Sequence, residues 1–224
     1  MTVTVEMVSD LVCPWCWLGL RRIREAMALA PEVEVNLLFR PYELDPTIPV
    51  QGVDYKAYHA EKFGSDVGKD RARTMRNALI KYGEEEDIPF NFDGITIRPN
   101  SLNAHRLVRW AQGQDKAIEA KEALFFAFFA EGQDIGDAGI LTTVAESIGL
   151  DPAIVADLLA SDADIATVRE EEEVFRQMGV GGVPTYIANR RLAVQGAESA
   201  EKLAKFLRAA ANQMPQERGL AGNA

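Results

Sequence analysis

Apolar and polar residues alternate in two segments near the N-terminus, residues 3–8 and 33–41. A period of two predicts a half-buried strand in each segment. The stretch between them, residues 18–30, is rich in helix formers and ends before Pro31, which predicts a helix. The first forty residues therefore predict a strand–helix–strand unit in which the two strands are parallel.

After Pro41 the pattern becomes helical, with little strand signal. Helices are predicted at residues 55–63, 70–82, 102–112, 116–130 and 140–148. The fourth of these is apolar around more than one face, because it carries Phe125, Phe126, Phe128 and Phe129. Such a helix is typical of a deeply buried position. We interpret its aromatic residues as core rather than as part of a cofactor site.

The C-terminal part of the chain returns to a mixture of helices and strands. The predicted elements are a helix at 165–178, strands at 185–187 and 192–194, and a helix at 199–213. With the first forty residues they indicate an α/β fold that is interrupted by a helical middle. The acidic run 170–173 is interpreted as a solvated helix face.

The charge balance limits the classes of partner. The chain has 34 acidic and 24 basic residues and a net charge of −10. This argues against binding to nucleic acid or to an anionic membrane, because both rely on basic patches. The sequence passes from Met1 directly into the first predicted strand, without a basic region or a long apolar segment. We therefore expect no secretory signal and no membrane span, and we predict a cytoplasmic protein.

The sequence contains two cysteines, Cys13 and Cys16, placed between the first predicted strand and helix. Residues three apart share a helix face, close enough for their sulfurs to bond. Pro14 suits the first helical position. Unpaired backbone N–H groups at a helix start favour a thiolate. We therefore predict that Cys13 is the nucleophile and that Cys16 attacks the resulting mixed disulfide.

A zinc site and a pair of unreactive buried thiols are the alternatives to a redox pair. Structural zinc usually takes four Cys or His ligands, whereas His59 and His105, the other candidates, lie far apart in the sequence. No metal site is therefore predicted. The position after a strand and at the start of a helix favours the redox interpretation over both alternatives.

A second segment of interest, residues 179–185, combines three glycines with Pro184. Glycine lets a backbone approach its neighbours closely, and a proline that opens a strand removes one hydrogen-bond donor from the sheet. Composition alone favours an ordinary turn here. A cis peptide before Pro184 is the alternative, although only about 5–6% of X–Pro bonds are cis.

Taken together, these motifs resemble the DsbA family of thioredoxin-fold proteins, and within it the cytoplasmic FrnE-like branch of dithiol–disulfide isomerases. The resemblance covers the chain to about residue 212. It rests on the active-site stretch 9–19, the end of the second strand at 40–44, a helix-opening motif at 100–106, the loop 182–185, and the pair 196–197 before the last helix.

The resemblance implies an α/β, thioredoxin-like fold with a large all-helical insertion domain. We predict that the thioredoxin-like domain is discontinuous and comprises residues 1–49 and 166–212. The helical insertion domain would then cover residues 50–165. Residues 213–224 are predicted to form a mobile C-terminal tail.

The resemblance also implies an activity, that of a thiol–disulfide oxidoreductase or isomerase working through the Cys-Pro-Trp-Cys pair. It implies that the Val183–Pro184 peptide is cis and lies against the sulfurs. Val183 would then present its backbone to a bound peptide or to glutathione by strand-like pairing. No bound cofactor is expected, and glutathione is a candidate thiol co-substrate. The expected partners are a disulfide-containing protein or small thiol substrate, and a cellular thiol reductant.

Further residues are predicted to contact the substrate. Pro14 and Trp15 would shape an apolar rim beside the first cysteine. In the stretch that resembles the helix-opening motif, His105 would line the cleft above that cysteine, with Asn100 and Ser101 as polar contacts. The alternative for His105 is a polar helix position that its neighbours satisfy.

Two other functions stay open. Kappa-class glutathione transferases and 2-hydroxychromene-2-carboxylate isomerases resemble this chain in fold and act through bound glutathione. They carry a serine in place of Cys13 and lack the second cysteine, so the intact pair weighs against that activity. The remaining alternative is a non-catalytic module that binds a peptide in the same groove.

Overall fold

The structure is a computed structural model that describes residues 2–213. The predicted C-terminal tail, residues 213–224, lies outside this range apart from Gln213. Within the described residues, no helix combines the length and the apolar character needed to cross a membrane.

The N-terminal unit has the predicted strand–helix–strand order. Strand β1 (Thr2–Ser9) is followed by helix α1 (Pro14–Leu29) and strand β2 (Glu34–Pro41). β1 and β2 are parallel, with Val3 opposite Val35. The prediction of a parallel pair is therefore confirmed.

Seven helices follow between β2 and the next strand of the main sheet. They are α2 (Tyr55–Lys62), α3 (Asp66–Glu85), α4 (Leu102–Gln112), α5 (Ala117–Phe129), α6 (Ala138–Ser147), α7 (Pro152–Ala160) and α8 (Ile165–Gln177). Two very short strands, β3 (Val53–Asp54) and β4 (Ile97–Arg98), pair antiparallel within this region. The segment predicted to be all-helical thus contains one small sheet.

Helix α7 was not predicted, although its start carries a recognisable signal. The Asp151 carboxylate accepts hydrogen bonds from the backbone N–H groups of Ala153 and Ile154 at 2.9 and 3.2 Å. Pro152 occupies the first turn, where its missing N–H is no loss. An Asp-Pro pair of this kind is a typical helix start.

The chain closes the sheet with β5 (Thr185–Ala188) and β6 (Leu192–Gln195) and ends in α9 (Ala200–Asn212). The strand order is β2-β1-β5-β6, and β5 runs antiparallel to both of its neighbours. The predicted thioredoxin-like α/β fold is confirmed. The division into two domains at residues 50 and 165 stays a prediction.

The sheet is packed on both faces. Val3, Val5 and Met7 point to the side that α1 and α9 cover, and none of them is exposed. Val8 points to the other side, where it packs with Phe175 of α8. The C-terminal end of β1, from which the chain enters α1, is therefore buried from both directions.

An aromatic cluster joins the helical region to α1. Trp17 of α1 stacks on Phe125 and Phe129 of α5, with ring centroids 6.0 Å away in each case. The indole N–H of Trp17 donates to Glu122 Oε2 at 3.0 Å. The predicted burial of the α5 aromatics is confirmed except at Phe126, which is 45% exposed. This cluster holds the helix that carries the cysteines.

Gly19 allows α1 to lie directly on the segment that leads into β5. A Cβ at this position would overlap the Tyr186 hydroxyl and would lie 2.9 Å from Pro184 Cγ. Tyr186 and Gly19 are both fully enclosed by neighbouring groups. A glycine is therefore required here by the close approach of two elements.

Replacing Gly19 with alanine should lower the free energy of unfolding. Alanine gains up to about 1 kcal/mol in helix propensity, but an extra methyl group in filled space costs about 1–3 kcal/mol. Urea denaturation of the two proteins measures the difference. Gly181→Ala is the control, because no other described atom lies within 4 Å of the added Cβ. Equal losses in the two variants would contradict the packing argument.

Candidate active site

The cysteine pair lies where β1 passes into α1. Cys13 is the N-cap of α1, with φ −101° and ψ 110°, and Pro14 is the first helical residue. The Cys13 N–H donates to Asp10 O at 3.2 Å, and the Cys16 N–H donates to Cys13 O at 2.9 Å. The predicted placement of the pair at a helix start is confirmed.

The two cysteines are free thiols 3.4 Å apart, and they differ in exposure. Cys13 is 5% exposed, whereas Cys16 has no exposed surface. Burial, and after it the neighbouring Cys13, raises the pKa of Cys16 well above the ordinary thiol value. Cys16 is thus a protonated, enclosed thiol near neutral pH, and of the two cysteines only Cys13 has any exposed surface.

The loop before β5 lies against Cys13. The Val183–Pro184 peptide is cis, as the family resemblance implied and against the ordinary turn that composition favoured. The Cys13 thiol donates to Val183 O at 3.7 Å. The Thr185 hydroxyl donates to Gly182 O at 2.7 Å, which fixes the loop from within. The two segments that were singled out in the sequence therefore meet in space.

A buried carboxylate lies behind the pair. Asp10 has no exposed surface, and it accepts a hydrogen bond from the Leu44 N–H at 2.8 Å. Burial alone would raise the pKa of Asp10, but His105, Arg98 and the Leu44 N–H together lower it to about 2. Asp10 is therefore ionised at neutral pH.

His105 is buried beside Asp10. Its Nε2 is 3.4 Å from Asp10 Oδ1, and the residue is 4% exposed. The contact falls outside the geometry of a hydrogen bond, and the Nε2 atom has no other hydrogen-bond partner among the described residues. Burial lowers the pKa of His105 and outweighs the opposing effect of Asp10. The predicted role of His105 toward a substrate stays a prediction.

The other predicted contact residues occupy different surroundings. Asn100 Nδ2 donates to Ile48 O at 2.7 Å, while its Oδ1 accepts from the Leu102 N–H at 3.0 Å. Ser101 is 3% exposed at the start of α4. Trp15 is half-buried beside Cys13, with its ring 6.3 Å from that of Tyr82. Their roles toward a substrate also stay predictions.

Lys121 was missed by the sequence reasoning. It is 1% exposed, and its ammonium donates to Ser9 Oγ at 2.8 Å. Burial lowers the pKa of Lys121 to about 8, although Cys16, Asp10 and Cys13 oppose that effect. Its spacing was a signal, because Lys121 lies one turn before Leu124 on the buried face of α5.

A pair of buried carboxyl groups was also missed. Glu172 Oε1 accepts from the Glu43 N–H at 2.7 Å, and the two residues are 5% and 2% exposed. Burial raises the pKa of each to about 7, reinforced by Asp10 for Glu43 and by Glu43 for Glu172. The acidic run interpreted as solvated thus contains one buried member. Its position between Val168 and Phe175, on the buried stripe of α8, was the available signal.

Within residues 2–213, no three His, Cys, Asp or Glu side chains converge in an arrangement that could hold a metal ion. His59 lies on α2 and His105 on α4.

Most of the chain matches known proteins. It matches the family model described as the DSBA-like thioredoxin domain over residues 4–208. It is 28% identical over 188 residues to the uncharacterized protein YwbO of Bacillus subtilis (strain 168), which covers 84% of this chain and 87% of YwbO. It is 23% identical over 184 residues to 2-hydroxychromene-2-carboxylate isomerase of Sphingobium xenophagum, with coverage of 82% and 88%.

Solved structures of DsbA-type proteins are also similar to this chain. A probable DsbA oxidoreductase from Streptomyces coelicolor is similar with a TM-score of 0.87 and 26% identity, over 96% of this chain and 92% of that one. The cytosolic disulfide reductase DsbM from Pseudomonas aeruginosa, solved with GSH, is similar with a TM-score of 0.66 and 17% identity, over 93% and 99%. The second likeness is one of fold alone.

In the reduced protein near pH 7, we expect iodoacetamide to alkylate Cys13 at least about ten times faster than Cys16. The reason is that Cys16 is fully buried and its pKa is raised. Mass spectrometry of peptides after timed quenching measures both rates. Cys13→Ser should leave Cys16 slow, and equal labelling of the two thiols would contradict the assigned roles.

The buried carboxyl groups of Glu43 and Glu172 should make the protein less stable as the pH rises from about 5 to 8, against a smaller opposite effect of His105, whose pKa is lowered. The carboxyl groups of Glu43 and Glu172 have their pKa raised from 4.5 to about 7, so the folded state holds protons that the unfolded state has released. The expected loss is about 1–3 kcal/mol. Asp10 does not contribute in this range, because its pKa is lowered from 3.8 to about 2.

Urea denaturation at each pH tests this dependence. Glu43→Gln should flatten it, because the variant removes one carboxyl group and relieves Glu172 of its neighbour. Glu170→Gln is the matched control, since Glu170 is an exposed glutamate on α8, the helix that carries Glu172. A slope that is the same in Glu43→Gln and in the wild type would rule out the buried pair as its source.

Proposed function

The chain belongs to the family of DSBA-like thioredoxin domains, and on that premise we propose that it is a thiol–disulfide oxidoreductase working through Cys13 and Cys16. One observation carries the proposal. Two free thiols lie at the start of α1, one of them in contact with the Val183 carbonyl and the other fully enclosed. A reachable nucleophile beside an enclosed partner is the arrangement that two-step disulfide exchange requires.

The first step joins the substrate to Cys13. The Cys13 thiolate attacks one sulfur of a substrate disulfide, a bond forms between them, and the other substrate sulfur leaves as a thiolate. In the second step Cys16 attacks Cys13 Sγ, which releases the bound sulfur and forms the Cys13–Cys16 disulfide. Two thiols of a cellular reductant then restore the dithiol, and the reverse sequence oxidises a substrate.

We propose that substrate lies along the loop that ends at Pro184. The Val183 carbonyl is within reach of the Cys13 thiol at 3.7 Å, so an extended peptide bonded to Cys13 could pair with the Val183 backbone. The half-buried rings of Pro14 and Trp15 would flank it on the side of α1. Both a disulfide-containing protein and a small disulfide fit this mode of binding.

Glutathione is the thiol that we propose as co-substrate. The support is that the structural relative DsbM is a cytosolic disulfide reductase solved with GSH. The same relative supports the proposal of a cytoplasmic location. We also propose the FrnE-like branch within the family, on the order and spacing of the five motifs that resemble it.

Isomerisation of a small aromatic substrate is a second candidate. It is favoured by the 23% identity to 2-hydroxychromene-2-carboxylate isomerase over 82% of this chain. The two cysteines weigh against it, because those isomerases resemble this chain without such a pair. An isomerase of this kind would not depend on the thiol of Cys16.

The proposed function predicts that the protein accelerates reduction of insulin disulfides by reduced glutathione. Cys13→Ser should lower the rate at least about 100-fold, to the level of glutathione alone, because it removes the nucleophile. Cys16→Ser is the matched variant, since it changes the same atom in the partner thiol. It should accumulate a mixed disulfide between Cys13 and an insulin chain, because the second step lacks its attacking thiol, and intact-mass spectrometry detects this species.

Full activity in Cys13→Ser would refute the proposal. Isomerisation of 2-hydroxychromene-2-carboxylate that persists in Cys16→Ser, without any insulin reduction by the wild type, would favour the second candidate instead.

A further inference from the structure

Lys121 is a buried positive charge at the end of β1, close to the start of the cysteine-bearing segment, and the exchange steps above do not use it. Helix α5 brings it to Ser9 at the end of β1, where its Nζ lies 2.8 Å from Ser9 Oγ. The ammonium also lies 5.2 Å from the ring centres of Phe39 and Phe125. Among residues 2–213, no carboxylate comes within the 4.0 Å of an ion pair. Burying an ammonium without a carboxylate partner is costly.

Several charged and titratable groups face Lys121. Cys16, Asp10 and Cys13 act on its charge from the start of α1 and the turn before it, and His105 faces it from α4. Arg40 of β2, Arg109 of α4 and Glu171 of α8 line a small cavity together with Lys121. With a pKa of about 8, Lys121 is mostly protonated at pH 7. Its charge lowers the pKa of Cys16, in the direction opposite to the larger effect of burial. Lys121 and Cys16 therefore influence each other's protonation.

The release step needs such a charge. Once Cys13 is bonded to a substrate sulfur it carries no charge, and burial is then the main effect that keeps Cys16 protonated. The thiolate is the form that attacks. In a site that excludes water, a nearby ammonium stabilises a thiolate far more than it would in solution.

We propose that Lys121 is a positioning residue whose ammonium balances the charge on Cys16 as this thiol ionises, and so sets the rate and the pH at which bound substrate is released. The inference rests on the proposed function. In this step the proton of the Cys16 S–H passes to solvent, a bond forms between the two cysteine sulfurs, and the bond from Cys13 to the substrate sulfur breaks. The electron pair goes to that sulfur, which leaves as a thiolate and takes up a proton from solvent. Lys121 keeps its proton throughout.

A chromogenic disulfide separates the two steps. When the reduced protein reacts with 5,5′-dithiobis(2-nitrobenzoate), attack by Cys13 releases one coloured thiolate and attack by Cys16 releases the second. Stopped-flow absorbance over a range of pH values follows both phases. Lys121→Met, which keeps the length of the side chain without its charge, should slow the second phase at least about tenfold at pH 7. Its pH midpoint should rise by about one unit or more, and the first phase should change less than about threefold.

Two variants complete the experiment. Lys69→Met removes an exposed lysine of α3, whose side chain is 67% exposed, and should alter neither phase. Lys121→Gln keeps a donor toward Ser9 Oγ but has no charge, so it should reproduce the slow second phase. It also serves if Lys121→Met does not fold.

The outcomes are distinct. A second phase with unchanged rate and pH midpoint in the Lys121 variants would overturn the inference, as would equal slowing of both phases. Neither result would contradict the proposed function. That function is contradicted if the wild type releases the coloured thiolate no faster than Cys13→Ser does.

Discussion

Exclusion of water from the junction between β1 and α1 is the constraint on which the candidate site depends. Ser9, Asp10 and Cys16 have no exposed surface there, and burial is the largest single influence on the pKa of Asp10, Cys16 and Lys121. In such a medium each charge acts strongly on its neighbours. The protonation states of these groups therefore depend on one another. The stacking of Trp17 on the aromatics of α5 helps to keep this space closed.

Much of the fold follows from local patterns. The alternation in β1 reflects the cover of α1 and α9 over Val3, Val5 and Met7, and it could be recognised without knowledge of the tertiary structure. The strands β3 and β4 could not, because two residues are too few to show a period. Helix α7 was missed because its nine residues are short for a periodic signal, even though its Asp-Pro start is typical.

The residues of the candidate site also differ in whether local sequence patterns could predict them. The cysteine pair was predictable because a helix start is a local feature that the spacing and Pro14 reveal. Lys121, Glu43 and Glu172 reach the site through contacts between distant elements, which composition does not encode. Lys121 and Glu172 each occupy the buried face of a helix, and a charged residue on such a face is the one signal that sequence reasoning could have used. Nothing in the neighbourhood of Glu43 in the sequence indicates its burial.

The pairing of β1 with β5 brings together opposite ends of the chain, with Val5 opposite Ala188. Closing so long a loop carries a large entropic penalty, so contacts of this kind form late when a chain folds. During synthesis the cysteines emerge early, while the Val183 loop that contacts Cys13 emerges close to the end. A nascent chain thus exposes both thiols without the cover of this loop until the residues around Val183 have been translated.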